Sequence, residues 1–204
     1  MNFYVINNQS FDDSSFAYGE DFGDINLGRA DKCEVCSSVL TSRKWLPPHK
    51  IRVSKRNLGD TILGTFDNLI VSAKFKESFQ EIDLKGIKSY QPVAIYFQNR
   101  LLGDRYFYAE IEMSDFFIDL NKSGFELEGE PGCPVCQKAG SIIKKWDGII
   151  FEHPETINLD IFTTKLLPGT LCVSESFRNF VVGHDLSNIS MIEASKFKTS
   201  WSID

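Results

Sequence analysis

The 204-residue sequence contains no apolar run long enough to cross a membrane, and its first residues lack a basic stretch followed by a hydrophobic one. A membrane-spanning helix needs about 20 mostly apolar residues. A secretory signal needs a charged segment and then an apolar one. From both absences we expect a cytoplasmic protein that has no membrane partner.

Recognisable catalytic motifs are also missing. The sequence has no glycine-rich phosphate loop, no His-Glu-x-x-His pattern and no Ser-His-Asp order in a typical motif. The Gly-His-Asp segment at 183–185 could belong to a triad, but Asp185 matches Asp83 of an internal repeat, where no histidine precedes it. We interpret this segment as a helix-ending turn. We therefore expect that the protein is not an enzyme. The alternative is an active site assembled from scattered residues that no motif reveals.

Cysteine is scarce, and its few positions are unusual. Four of the five cysteines form two pairs, each separated by two residues, and the fifth is Cys172 in an apolar strand pattern. Secreted domains that depend on disulfides usually have scattered half-cystines, so this distribution excludes that class and favours a reducing compartment. We expect Cys172 to be a small buried side chain.

The two pairs predict a metal site. Thiolates two residues apart can both approach one Zn²⁺ ion at about 2.3 Å when a tight turn brings them together. One pair supplies two of the four ligands that zinc needs, so we expect both pairs to share one ion. The predicted ligands are Cys33, Cys36, Cys133 and Cys136. Such a closed site is structural, because it has no open position for water or substrate.

Three other interpretations of the cysteines remain open at this stage. A Cys-x-x-Cys pair can be redox-active, as in thioredoxin-like proteins, when it lies at a helix N-terminus. The thiols could also be free of metal. Finally, His49 and His153 follow the two pairs at similar distances and could complete two separate sites or replace a cysteine ligand.

An internal repeat is the second strong feature. Residues 69–87 and 171–189 align without a gap at an offset of 102 and share seven identities, whereas unrelated windows of that length share about one. Each copy has an apolar strand that ends at a serine, Ser72 or Ser174, which can cap a following helix. Phe75 and Phe79 lie four residues apart on one face of the first predicted helix.

Together these features predict an α+β fold of two duplicated halves. Each half has a strand–helix repeat with a mixed or antiparallel sheet, and a shared structural zinc site joins them. The first half comprises residues 1–130, with an acidic leader and the first cysteine pair, and the second comprises residues 131–204. The turn-rich link at 128–132 is the predicted boundary. We expect the halves to form one compact unit.

The cysteine pairs, the segments 69–79 and 171–180, and the segment 106–125 together resemble the double Cys-x-x-Cys immunity proteins of bacterial polymorphic toxin systems. The resemblance covers about residues 30–200. It implies a small cytoplasmic protein that binds a cognate toxin domain and neutralises it. In such proteins a glycine often follows each pair, whereas Ser37 and Gln137 occupy these positions here.

The charge pattern predicts where such a partner would bind. The net charge is −6, and residues 110–130 contain seven acids and one base. Alternation along residues 106–113 also places two tyrosines and two glutamates on one side of a strand. An acidic surface can bind a basic toxin quickly and block it, and tyrosine is a common interface anchor. The predicted toxin interface consists of Tyr106, Tyr108, Glu110, Glu112, Asp115, Asp119, Glu126, Glu128 and Glu130.

The alternative function is a zinc-ribbon-type nucleic-acid-binding protein. Its candidate contacts form a local basic cluster, which consists of Lys44, His49, Lys50, Arg52, Lys55 and Arg56. Phosphate binding needs a contiguous basic surface, so the overall acidity argues against a nucleic-acid partner. The same cluster could instead contact an acidic toxin.

Overall fold

The computed structural model describes residues 2–7, 15–64, 69–129, 132–138 and 140–198, with Asp104 described by its backbone alone. The strands are β1 (Phe3–Ile6), β2 (Gly19–Asp21), β3 (His49–Val53), β4 (Thr61–Ile62), β5 (Leu69–Ser72), β6 (Ile87–Phe97), β7 (Arg100–Ile111), β8 (Met113–Ser114), β9 (Glu126–Glu128), β10 (Ile142–Lys145), β11 (Ile161–Thr164), β12 (Cys172–Ser174) and β13 (Met191–Glu193). The helices are α1 (Ala73–Glu81) and α2 (Glu175–Gly183), with 3-10 turns at Pro154–Thr156 and Ala194–Lys196.

Both repeat segments form the predicted strand, serine cap and helix. The Ser72 hydroxyl accepts a hydrogen bond from the Phe75 N–H at 3.1 Å, and the Ser174 hydroxyl accepts one from the Phe177 N–H at the same distance. Each cap satisfies a backbone donor that the first helical turn leaves free. The Gly-His-Asp segment at 183–185 is the end of α2 and the turn after it, as predicted.

The strands form mixed and antiparallel sheets, which confirms the predicted α+β class. The six-stranded sheet has the order β2-β3-β6-β7-β5-β4, and only its β3–β6 pair is parallel. The five-stranded sheet has the order β13-β1-β12-β11-β8, with a parallel β8–β11 pair. Strands β9 and β10 form a separate antiparallel pair.

Strands from before and after position 130 share the five-stranded sheet. Strand β1 pairs with β12 and β13, and β8 pairs with β11. Residues 130 and 131, where the sequence predicts the boundary between halves, lie outside the described residues. The division into two halves at this point stays a prediction.

The two helices meet in an aromatic core between the two large sheets. Phe75 and Phe79 of α1 contact Phe177 and Phe180 of α2, with ring centroids 5.4–6.3 Å apart. The same cluster contains buried residues of both sheets, which are Ile6, Leu69, Val71, Ala109, Ile161 and Val173. Burying several aromatic rings contributes strongly to stability, so this core holds the two repeat segments together.

Two aspartates, each about a dozen residues before the serine that caps a helix, link the two repeat segments by hydrogen bonds. Oδ1 of Asp60 accepts from the Ser72 hydroxyl, and Oδ1 of Asp160 accepts from the Ser174 hydroxyl, each at 2.7 Å. The second oxygen of each carboxylate reaches across to the other segment. It accepts from the Ser187 N–H at 2.9 Å for Asp60 and from the Lys85 N–H at 3.0 Å for Asp160. Lys85 and Ser187 are also 102 residues apart, so matching positions make matching contacts.

We expect Asp60→Asn to destabilise the protein by about 1–3 kcal/mol, because the new amide would face donors that now bind a carboxylate. Burial opposes ionisation of Asp60, but hydrogen bonds from Ser187 and Ser72 and the charge of Lys74 outweigh burial and lower its pKa. A carboxylate with a lowered folded pKa stabilises the protein above its unfolded pKa of about 3.9, and this contribution disappears as the pH falls through the folded pKa.

Urea unfolding at neutral pH and near pH 3 measures both effects. The variant should lose stability at neutral pH and should show a weaker pH dependence than the wild type. Asp83→Asn is a matched control, because Asp83 is exposed and asparagine tolerates its left-handed backbone. Equal unfolding midpoints for wild type and Asp60→Asn at neutral pH would contradict the prediction.

Candidate metal centre and predicted interface residues

Each cysteine pair forms the same tight turn. The Ser37 N–H donates to the Cys33 carbonyl at 2.8 Å, and the Gln137 N–H donates to the Cys133 carbonyl at 3.1 Å. Ser37 and Gln137 both have φ near +60°, in the left-handed region that favours glycine. This backbone conformation explains why a glycine suits the position after each pair.

The two turns bring the four sulfurs together. The Sγ atoms of Cys33 and Cys133 are 3.7 Å apart, and those of Cys36 and Cys136 are 3.5 Å apart. All four sulfurs lie within 4.8 Å of one another. A tetrahedral zinc with bonds of about 2.3 Å separates its sulfur ligands by about 3.8 Å. The four cysteines could therefore bind one metal ion.

The surroundings of the four sulfurs are largely apolar. Cys33, Cys133 and Cys136 are buried, Cys36 is partly exposed, and Leu40 packs against the group. The Ser38 side chain and backbone N–H stabilise the Cys36 thiolate and lower its pKa to about 6, whereas burial raises the pKa of Cys136 to about 11. A bound cation would hold all four thiols deprotonated. A site with four thiolates and little solvent access suits a structural ion.

Two residues beside the second pair hold the turns in place. The Gln137 side chain accepts from the Ile118 N–H at 3.3 Å and donates to the Ile118 carbonyl at 3.0 Å. The Lys138 ammonium donates to the Val39 carbonyl, beside the first pair, at 3.1 Å. The sequence analysis missed both residues. The one available signal was a long amide side chain at a position that often has glycine.

The two candidate histidines, His49 and His153, are not part of the four-cysteine group. His49 is buried, its Nε2 is 3.2 Å from the Trp45 carbonyl, and its ring packs against Trp45 and Tyr108. His153 is exposed, with Nδ1 3.5 Å from a Glu155 oxygen. Among the described residues, the group that could hold a metal consists of the four cysteines. Cys172 is buried in β12, as predicted.

The predicted interface tyrosines are held by the protein's own interior. Alternation along β7 is confirmed, since Phe107 packs with the helices while Tyr106 and Tyr108 pack in the cluster on the other side of the sheet. The Tyr106 hydroxyl donates to the Gly59 carbonyl at 2.9 Å, and burial raises its pKa to about 12. Tyr108 packs against Trp45. Both sides of this part of β7 are therefore covered.

Most of the predicted interface acids have partners within the chain. Glu110 accepts a hydrogen bond from Ser89 at 2.9 Å, and Glu112 is partly buried. The ion pairs are Asp115–Lys165 (2.5 Å), Asp119–Lys122 (2.9 Å), Glu126–Lys145 (2.7 Å) and Glu128–Lys144 (2.5 Å). Glu130 lies outside the described residues. The structure brings Glu126 and Glu128 together on β9, and whether the acidic set binds a partner stays a prediction.

The predicted basic cluster is also divided. His49 is buried, Lys44 pairs with Asp31 at 3.2 Å, and Arg52 pairs with Glu20 at 2.9 Å. Lys50 and Arg56 are exposed, and the Arg56 guanidinium lies 5.4 Å from the centroid of the Phe97 ring. Three of the six residues are therefore buried or already paired with an acid of this chain.

The fold and site define an α+β protein with a candidate four-thiolate metal centre, and none of its described helices could span a membrane. The model of the Immunity protein family (Imm11) matches residues 47–196, which is more than half of the chain. The chain belongs to this family. The match includes the second cysteine pair and not the first. A search of curated proteins found no match.

Proposed function

We propose that this chain is the immunity protein of a bacterial polymorphic toxin system, and that it neutralises a cognate toxin domain in the cytoplasm by binding it. The observation that carries the proposal is the family match across residues 47–196. The protein acts through a protein–protein interface and does not catalyse a reaction. Neutralisation follows when the bound immunity protein covers the toxin's active site or the surface that binds the toxin's substrate.

The four cysteines hold one structural Zn²⁺ ion in this proposal. Support comes from the sulfur–sulfur distances of 3.5 and 3.7 Å between matching cysteines and from the burial of three of the four. The ion would crosslink two turns that are 100 residues apart in the chain. Its binding energy would add to folding, because the unfolded chain has no preformed site.

The two repeat segments descend from a duplication in this proposal, and residues 1–130 and 131–204 form one unit. Support comes from matching contacts at matching positions. Each segment has a serine that caps a helix and donates a hydrogen bond to an aspartate. The other oxygen of each aspartate accepts a hydrogen bond from the backbone of the opposite segment. Mutual exchange of this kind is what a two-fold relation between two similar units produces.

Co-expression tests the proposed function. The toxin domain encoded in the neighbouring reading frame is expressed in bacteria from an inducible promoter, with and without this chain. We expect growth to stop with the toxin alone and to recover with the chain, and we expect the purified proteins to form a complex on gel filtration. Cys172→Ala serves as a positive control, since Cys172 lies outside the metal group. Absence of both protection and complex would overturn the proposal.

A further inference from the structure

The β6–β7 hairpin ends in an exposed tip, where the β7 strand has β6 as its one strand neighbour among the described residues and Tyr96 of β6 also pairs with Arg52 of β3. Gln98 and Asn99 form its two-residue turn, with φ of 47° and 61°. Both values are typical of the type I′ turn that joins tightly twisted strands. Strand β5 pairs with residues 106–109 of β7, and in the described chain residues 100–105 pair with β6 alone. We define residues 96–105 as the hairpin tip.

The hairpin tip exposes apolar side chains. Leu101 and Leu102 are 59% and 36% exposed, and Leu101 pairs with Tyr96 across the hairpin. Phe22 stacks on Tyr96 with ring centroids 4.4 Å apart. Exposed leucines beside aromatic rings are common in binding surfaces, where they are buried by the partner. The pairing register shifts between Tyr96–Leu101 and Ile95–Gly103, so Leu102 is the extra residue of a β-bulge and enlarges the exposed apolar surface beside Leu101.

The hairpin tip also carries two arginines, with one acid, Asp104, between them in the sequence. Arg100 and Arg105 are exposed, and neither makes an ion pair in the described part of the chain. Arg56 and Lys50 are exposed near the same end of the sheet, where Lys50 pairs with Ala94 of β6. The carboxylate of Glu20 on β2 is already paired with Arg52. Arginine is enriched in interface hot spots, as are tyrosine and tryptophan.

A comparison with the acidic residues favours the hairpin tip as the binding surface. Asp115, Asp119, Glu126 and Glu128 each form an ion pair with a lysine of this chain. A charge that is already paired gains less from a partner than an unpaired charge, because a new contact must replace the existing one. The unpaired arginines beside exposed leucines therefore match an acidic partner surface better than the acids match a basic one.

We propose that the hairpin tip is the surface that binds the toxin, and that the toxin presents an acidic surface with an apolar centre to it. This inference rests on the proposed function. Leu101 is the central apolar contact, and Arg100 and Arg105 supply the positive rim. The short two-residue turn keeps β6 and β7 paired up to Phe97 and Arg100, and a surface that is already ordered loses less entropy on binding.

Calorimetric titration of the purified full chain with the toxin domain from the neighbouring frame tests the inference. We expect Leu101→Glu and the double variant Arg100→Glu, Arg105→Glu each to weaken binding at least about 30-fold. In stopped-flow mixing, the double variant should also lose the faster association at low salt that opposite charges produce. Thermal unfolding checks that the variants remain folded, as expected for exposed positions.

Matched controls separate this surface from others. Val182→Glu introduces the same charge at a 68% exposed position on α2, and Arg29→Glu reverses an exposed charge near the first cysteine pair. Both should bind within about 3-fold of the wild type, as surface changes outside an interface do. Charge reversal at Glu126 and Glu128 tests the acidic set.

The possible outcomes separate this inference from the proposed function. If the wild type binds the toxin and both hairpin variants bind as tightly, the inference is wrong while the proposed function stands. If the wild type neither binds the toxin nor protects cells, the proposed function fails first. If mixed-sequence DNA binds the wild type strongly and the hairpin variants lose that binding, the surface serves nucleic acid, and the inference is again overturned.

Discussion

Cys136→Ser is expected to abolish metal binding and to lower the free energy of unfolding by at least about 4 kcal/mol. The reason is that structural zinc contributes on the order of 10 kcal/mol of apparent binding energy in small domains. Cys136 is fully buried and lies 3.5 Å from Cys36. Serine is a poor zinc ligand at neutral pH, and its shorter side chain would leave the tetrahedron open on a buried side.

Metal analysis and chelation measure this effect. We expect one equivalent of zinc in the wild type, none in Cys136→Ser, and a large fall in the wild-type melting temperature when a chelator removes the ion. Cys172→Ala is the matched control, because Cys172 is equally buried but lies in β12, outside the metal group. It should retain one equivalent and lose only about 1 kcal/mol. A Cys136→Ser protein that kept both zinc and stability would contradict the proposed site.

Gly86→Ala should produce the second large effect, a loss of at least about 3 kcal/mol. Gly86 has φ of +116°, which L side chains rarely adopt. A Cβ atom built there would lie 1.7 Å from the Ile161 carbonyl oxygen, so the backbones at Gly86 and at the start of β11 would have to separate. That separation would break the hydrogen bonds from the Asp160 and Ile161 N–H groups to the Lys85 carbonyl, at 2.9 and 3.1 Å.

Gly183→Ala provides the matched control for this prediction. Gly183 is the last residue of α2, and a Cβ atom there would meet nothing within 4 Å. Alanine favours the helix, so this change should leave stability unchanged or raise it by up to about 1 kcal/mol. Urea unfolding of both variants tests the contrast. Equal stability of the two alanine variants would contradict the close contact between the Gly86 and Ile161 backbones.

The substitutions at Cys136 and Gly86 test two different places where distant parts of the chain meet. The two cysteine turns, which are far apart in the chain, meet at the four sulfurs. Elsewhere the Gly86 backbone packs against the Ile161 backbone, and the carboxylates of Asp60 and Asp160 accept hydrogen bonds from the backbones of Ser187 and Lys85. With a metal ion bound at the four cysteines, the chain would be fixed at both places, and a fixed arrangement loses less freedom when it binds a partner.

The candidate interface shows where sequence patterns stop being informative. Alternation correctly assigned Tyr106 and Tyr108 to one side of β7, but it could not show that Trp45 and Gly59 cover that side. The sequence did not predict the hairpin turn, because its two residues are Gln98 and Asn99 and neither is glycine, the usual signal of a two-residue turn. The strand that alternation predicts at 106–113 is accordingly part of the longer β7, which ends at Ile111, and β8 is a separate strand after Glu112.

The sequence by itself determined the local elements and the donor set. Apolar strands, serine caps and phenylalanine spacing depend on neighbouring residues, so Ser72, Ser174 and the two helices could be located from the printed order. The four cysteines were identified because a zinc ion needs two pairs. The tertiary structure alone decided which surfaces are covered and which charges are paired. Those properties depend on contacts between residues far apart in the chain, such as Glu128 with Lys144 and Asp60 with Ser187, which local spacing does not encode.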